Sequence, residues 1–266
     1  MVCRIKGLDA VVHLAGRAHI LHETAIDPLV EFRKVNVEGT LNLAQQATRI
    51  GVKRFIFVSS IGVNGLYSSG RPVSVHDEPR PHNDYAISKF EAEQGLKKIS
   101  RETGLELVII RPPLVYGPGV GANFLRLMKL AGSGIPLPLA SINNSRSLVY
   151  VGNLCDLIFQ CLEHPSAAGG TFLVSDDQDV STPELLKMLA LAMGKKARLF
   201  PMPGSVLRLI GRLTGRPGEV LQLCGSLQVD ITHTCQTLGW VPPFTVEQGV
   251  HETVSAYLAE QSSGVK

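Results

Sequence analysis

Long hydrophobic runs are missing from this sequence. No stretch reaches the roughly 18 consecutive apolar residues of a membrane-spanning helix, which excludes a chain threaded through a bilayer by helices. The opening does not read as a secretory leader, because Arg4, Lys6 and Asp9 interrupt it. Cysteine is sparse and unorganised: Cys3, Cys155, Cys161, Cys224 and Cys235 are odd in number, scattered, and contain no C-x-x-C pair. That spacing excludes a disulfide framework and a thiolate zinc site, and leaves free thiols in a reducing compartment, so a soluble cytoplasmic protein is expected. Charge is also scarce, at 18% of residues with a formal net charge of +3, too mild for a nucleic-acid binder. Internal repeats and low-complexity tracts are absent. What is present, 266 residues of which 44% are hydrophobic, suffices for one large α/β domain or one and a half ordinary ones.

The most informative stretch is 54–89. Arg54-Phe55-Ile56-Phe57-Val58 is short, continuous and rich in β-formers, as a parallel strand buried on both faces reads, and it ends in Ser59-Ser60. A helical pattern starts near Asp84, so Tyr85 and Lys89 stand one turn apart on the same face. A serine at the C-terminal tip of a central strand and a Tyr/Lys pair on the next helix share the crevice where open α/β sheets bind ligands. A phenol, with an ordinary pKa of about 10, serves as a base near neutrality only if a neighbouring cation favours the phenolate. The competing reading of Y-x-x-x-K is two exposed helix residues.

Other segments fall on either side of this centre. Leu8 to Gly16 reads as a strand running into a small-residue turn, in which His13 packs. His19, His22 and Glu23 lack zinc-site spacing and read as a solvated loop, so no metal site is expected. Asp27-Pro28 opens a helix that Gly51 closes, and Asn36 and Gly39 are poor helix formers inside it, while Thr40 and Asn42 read as surface. Residues 62–83 form a long polar connector, and Leu107-Val108-Ile109-Ile110 is a second buried strand. Gly117-Pro118-Gly119-Val120-Gly121-Ala122 formally matches a dinucleotide glycine loop. Pro118, however, removes an amide, and no acidic residue stands about 20 positions on. Thr171 to Val174 reads as a strand, Ser181-Thr182-Pro183-Glu184 as a capping box, and 205–213 as a helix. Arg208, Arg212 and Arg216 recur at four-residue spacing, open to three readings: a solvated face, help for a diphosphate, or a membrane-surface helix.

Taken together, Ser59-Ser60, Tyr85-Ala86-Ile87-Ser88-Lys89 and Arg111-Pro112-Pro113-Leu114-Val115-Tyr116-Gly117-Pro118-Gly119 resemble the extended short-chain dehydrogenase/reductases, in the branch of nucleotide-sugar epimerases and dehydratases. Asp9 to Gly16 is similar to that family's D-x-V-x-H-x-A-[AG] strand, Asn36 to Thr40 to its N-V-x-G-T, and Asp230 to Trp240 to its closing D-x-x-K-x-x-x-x-L-G-W, with His233 in place of the basic residue. The resemblance implies a Rossmann-like doubly wound parallel sheet with a smaller C-terminal substrate lobe. Residues 1–118 would be a partial dinucleotide-binding domain, and 119–266 mainly the nucleotide-sugar lobe with segments returning to the first. It assigns Ser60 (with Ser59 as the fallback), Tyr85 and Lys89 to catalysis, Lys89 holding the nicotinamide ribose and lowering the Tyr85 pKa. Ala15, Gly16, Asn36, Pro112, Pro113 and Val115, with Tyr85 and Lys89, would bind NAD, or NADP. Asn123, Phe124, Arg146 and Arg216, with Ser60, would hold the sugar nucleotide. Asn153 stands where the family usually has Asp, leaving a helix cap possible. The family's opening G-x-x-G-x-x-G loop does not occur; at about 30 residues per βαβ unit, on the order of two units precede Leu8 in the family pattern, and a fragment is expected.

The function implied is a UDP-hexose or UDP-N-acetylhexosamine 4-epimerase. The alternatives are a 4-keto-6-deoxy nucleotide-sugar reductase of surface-polysaccharide synthesis, or a non-catalytic sugar-nucleotide-binding relative. A small-molecule, UDP-linked partner is expected, with no nucleic acid and a possible homodimer through the helices at 28–50 and 84–103.

Overall fold

The computed structural model describes residues 7–18, 27–68, 70–215 and 217–262. His19, His22, Glu23 and Arg216 lie outside them. Six strands occur among the described residues: β1 (Ala10–His13), β2 (Arg54–Val58), β3 (Glu106–Arg111), β4 (Leu114–Tyr116), β5 (Leu148–Tyr150) and β6 (Thr171–Leu173). Four of them form a parallel sheet in the order β1-β2-β3-β6, and β4 pairs in parallel with β5. The helices are α1 (Pro28–Arg33), α2 (Thr40–Arg49), α3 (Asp84–Thr103), α4 (Ala122–Gly132), α5 (Val151–Glu163), α6 (Thr182–Ala192), α7 (Gly204–Leu213), α8 (Pro217–Cys224), α9 (Thr232–Leu238) and α10 (Val246–Ser262).

Alternation along the two central strands builds three layers. Phe55 and Phe57 of β2, with Leu107 and Ile109 of β3, pack against Ala44 and Ala47 of α2 and Ala92 and Leu96 of α3. Ile56, Val108 and Ile110 face the other way, onto Leu154, Leu157 and Cys161 of α5 and onto Leu238 and Trp240. A strand so covered has no polar face, which is why β2 reads as an unbroken apolar run; each such side chain contributes about 1.5–3 kcal/mol by burial. Parallel pairing puts the C-terminal ends of β1, β2 and β3 on one side of the sheet, and the site gathers there. A second core holds the C-terminal half: Tyr116, Phe124, Met128, Leu148, Leu186, Leu189, Val250 and Val254 join β4 and β5 to α4, α6 and α10. Gly249 lets α10 come close, since a Cβ there would lie 2.6 Å from the Tyr116 hydroxyl oxygen.

Local signals act as their chemistry requires. Asp27 accepts the Val30 amide at 3.2 Å with Pro28 in the first turn, and Gly51, at φ +86°, ends the segment. Between α1 and α2 the backbone opens into a π-turn at Lys34–Gly39 that carries the buried Asn36. Thr40 is not on the surface as expected: it is fully buried, and its Oγ1 meets His13 Nε2 at 2.9 Å. Asn83 caps α3 through the Ala86 amide at 2.8 Å, and Gly104 at φ +76° closes it. Asn153 is not a cap either. It sits inside α5, donating to Asp176 Oδ1 at 2.7 Å and to the Phe244 carbonyl at 2.8 Å, and accepting the Phe244 amide at 2.9 Å.

Candidate active site

The tip of β2 and the first turns of α3 meet above the sheet. Ser59 continues the ladder, its amide bonded to the Ile110 carbonyl at 2.7 Å, and the chain then turns through a single 3₁₀ turn at Ile61–Val63. Ser60 caps that turn, its Oγ accepting the Gly62 amide at 3.1 Å. This turn sets Ser60 on the same cleft wall as Tyr85, where its hydroxyl acts to lower the Tyr85 pKa. Phe32 packs edge-on against the Tyr85 ring, with centroids 6.2 Å apart.

Lys89, one turn along α3, is buried. Its Nζ donates to the Val58 carbonyl at 2.9 Å and lies 4.5 Å from the Phe57 ring centroid. Burial lowers its pKa to about 8, against the opposing pull of Glu93. Burial also raises the Tyr85 pKa, partly offset by the Ser60 hydroxyl. In the protein alone the Lys89 ammonium is directed at the Val58 carbonyl and the Phe57 face, and desolvation dominates the Tyr85 shift.

A buried polar layer supports these groups. Glu93 Oε1 accepts the Ser59 hydroxyl at 2.6 Å and Arg111 Nε at 2.9 Å; Arg111 Nη1 donates to Asn64 Oδ1 at 3.0 Å. Ser59 is thus committed to Glu93, and Ser60 is the serine that faces Tyr85. Asn36 joins the β1 turn to α3: its Nδ2 donates to Ser88 Oγ at 2.9 Å and to the Arg17 carbonyl at 3.1 Å, and its Oδ1 accepts the Arg17 amide at 2.7 Å. Ser88 in turn donates to the Tyr85 carbonyl at 2.8 Å.

A cleft of about 520 Å³ opens over this centre. Gly16, Ser60, Tyr85, Lys89, Pro112, Pro113 and Val115 line one side, and Asn123 and Arg146 the other. Arg146 donates to the Gly225 carbonyl at 3.2 Å, and burial lowers its pKa. Phe124 and Ala15, both expected site residues, do not line this cleft. Phe124 is fully buried, stacked on Tyr116 with centroids 5.0 Å apart, because α4 turns Phe124 and Met128 to the core and Asn123, Arg126, Leu127 and Leu130 to the cleft. Ala15 is exposed, while Leu14, Gly16 and Ala18 around it reach the cleft wall. Sequence reasoning missed Arg126 and His82, both lining residues. Arg126 was within reach of it, standing three positions after Asn123 on one helix face; His82 had no signal in its loop.

The sequence profile of the NAD dependent epimerase/dehydratase family matches residues 1–175. The chain belongs to this family. It is 49% identical over 256 residues to a UDP-glucose 4-epimerase of Vibrio cholerae, covering 96% of this chain and 78% of that protein. It is 29% identical to the N-acetyl-α-D-glucosaminyl-diphospho-ditrans,octacis-undecaprenol 4-epimerase of Escherichia coli O157:H7, over 94% of this chain and 78% of that one. Among solved structures, a Bacillus cereus UDP-glucuronic acid 4-epimerase in complex with NAD superposes with a TM-score of 0.77 at 20% identity, covering 97% of this chain and 75% of the other. These likenesses establish the Rossmann-like epimerase/dehydratase fold.

The residues present fit the nicotinamide end of a family cofactor. At Gly16 a Cβ would come 3.2 Å from Asn36 Oδ1 and 3.4 Å from Lys89 Nζ, so the bare backbone leaves room beside the ammonium for a ligand. Pro112, Pro113 and Val115 supply a rigid wall opposite.

Proposed function

We propose that this chain carries the chemistry of a cytoplasmic UDP-sugar 4-epimerase, acting on a UDP-hexose or UDP-N-acetylhexosamine. The observation that supports this most is that Ser60, Tyr85 and Lys89 line one cleft together with Asn123 and Arg146. The Vibrio cholerae relative favours inversion at C4 over other reactions of the family.

NAD, when bound, supplies a reversible hydride acceptor, so that C4 passes through a ketone with no net oxidation. As the phenolate, which the positive charge of a bound nicotinamide beside Lys89 would favour, Tyr85 Oη takes the C4 hydroxyl proton and returns it to the same oxygen once the ketone has presented its other face. Ser60 donates a hydrogen bond to that oxygen and fixes its position between the two half-reactions. Lys89, anchored on the Val58 carbonyl, is placed to hold the nicotinamide ribose; Gly16, Asn36, Pro112, Pro113 and Val115 complete that end. Arg146, helped by Arg126 on α4, is suited to the diphosphate. A homodimer through the α1–α2 and α3 faces is part of the reading, supported by the exposed Val30, Val35, Leu43 and Ile50.

The deciding experiment incubates the chain with NAD and UDP-glucose or UDP-N-acetylglucosamine and follows the C4 epimers by NMR alongside reduced nicotinamide by absorbance. Epimer formation without accumulating redox product is expected. Stoichiometric consumption of NAD(P)H with a 4-keto sugar would assign a reductase instead, and UDP-sugar binding with no turnover would assign a binding protein. A lipid-diphosphate-linked form of the sugar is a second substrate reading, favoured by the Escherichia coli relative.

A further inference from the structure

Helix α7 keeps its apolar face uncovered. Leu207 is buried against the C-terminal core, but Leu213 is 78% exposed and Leu209 55%, with Val206 and Ile210 also open to solvent. These four recur at i, i+3, i+4 and i+7, so they form one continuous stripe. Arg208 and Arg212 lie one turn apart on the polar side of the same helix, and α7 contains no acidic residue. Leu221, on the packed neighbour α8, adds a further exposed apolar side chain.

We propose that α7 is a membrane-surface helix that seats the protein on an anionic lipid bilayer. An apolar stripe flanked by arginines, with no carboxylate, fits the boundary between acyl chains and negative headgroups. At ten residues α7 is about 15 Å long, enough to lie on a bilayer and too short to cross one. A second copy is a poor occupant. Pairing α7 with itself brings Arg208 and Arg212 of both helices together, with no acidic residue on either to meet them.

The helix is also joined to the cleft. α8 packs on α7, and Leu223 of α8 lines the cleft. The Leu223 carbonyl is held by Thr182 Oγ1 at 2.6 Å and Asn144 Nδ2 at 3.2 Å, so α8 is a fixed link rather than a loose arm. A bilayer under α7 is therefore linked through α8 to the wall of the cleft. The inference rests on α7 alone and not on the reaction assigned to the cleft.

The test is co-sedimentation of the whole chain with vesicles of phosphatidylglycerol and phosphatidylcholine in equal parts, against pure phosphatidylcholine. Sedimentation with the anionic vesicles, weakened by added salt, is expected. Leu209→Glu with Leu213→Glu should reduce the partition at least about tenfold, and Arg208→Gln and Arg212→Gln about fivefold each on anionic vesicles only. Circular dichroism and thermal melting establish that the variants fold, with Leu213→Gln alone as the milder substitution. Turnover of soluble UDP-sugar should be unchanged, because α7 lies outside the cleft. Failure of the wild-type chain to sediment, equal sedimentation of the folded Glu variant, or a dimer that this variant dissociates without loss of vesicle binding would each overturn the proposal. Because sedimentation needs no turnover, an inactive cleft would leave the result readable.

Discussion

In the proposed reaction, Tyr85, Ser60 and Lys89 divide the work at the residue scale. If Tyr85 moves the C4 proton, Tyr85→Phe removes one oxygen and should lower kcat by about 10²- to 10⁴-fold with little change in KM, measured by NMR of the epimer ratio. Ser60→Ala should lose less, because Tyr85 keeps its place on α3. Lys89 has a pH signature of its own. Its folded pKa of about 8 lies below its ordinary 10.5, so between these values the unfolded chain binds the extra proton. Stability is therefore lowest below pH 8 and rises as pH climbs through the window, by about 3 kcal/mol in total. Lys89→Met should abolish that rise in melting experiments between pH 8 and 10.5. The three side chains were readable in the sequence because their relation is short-range: a strand tip, and two helix positions one turn apart. Phe124 was misassigned because N-F-L reads the same whichever face α4 turns to the core, and packing against Tyr116 decided it.

At the scale of elements, three buried charges tie helices to strands. Arg54, on β2, donates through Nη1 to the Cys161 and Leu162 carbonyls at 2.9 Å and the His164 carbonyl at 3.0 Å, satisfying the C-terminal end of α5. Arg54→Ala should cost about 1–3 kcal/mol by denaturant unfolding, because those carbonyls stay buried and lose their donor. Glu93 and Arg111 join α3 to β3 behind the site. Arg111→Met alone leaves the Glu93 carboxylate buried and unpaired and should cost about 3–5 kcal/mol, whereas Glu93→Met with Arg111→Met should regain most of that. Two helix starts were legible, since Asp27 and Ser181 act on amides three residues on. The π-turn at Lys34–Gly39 was legible only as an anomaly, a buried Asn and a Gly where a helix interior favours neither.

For the whole molecule, the cleft is lined by residues far apart in the chain. Ser60 stands at the tip of β2 and Tyr85 on α3, and Arg146 comes from the segment entering β5, where its backbone pairs with Val180 and Leu227. Arg146→Ala should raise KM for the UDP-sugar by at least about tenfold and lower kcat less, the reverse of Tyr85→Phe, in steady-state kinetics. Apolar runs, caps and the Ser-Tyr-Lys spacing already specified a parallel α/β sheet and its reacting tip, because those signals act within a strand or a helical turn. Three features came only from long-range packing: which face of α4 meets the cleft, the direction of the Lys89 ammonium toward the Val58 carbonyl, and the uncovered stripe of α7. Each depends on what residues distant in the chain bury, and burial is a property of the assembled core rather than of any local pattern.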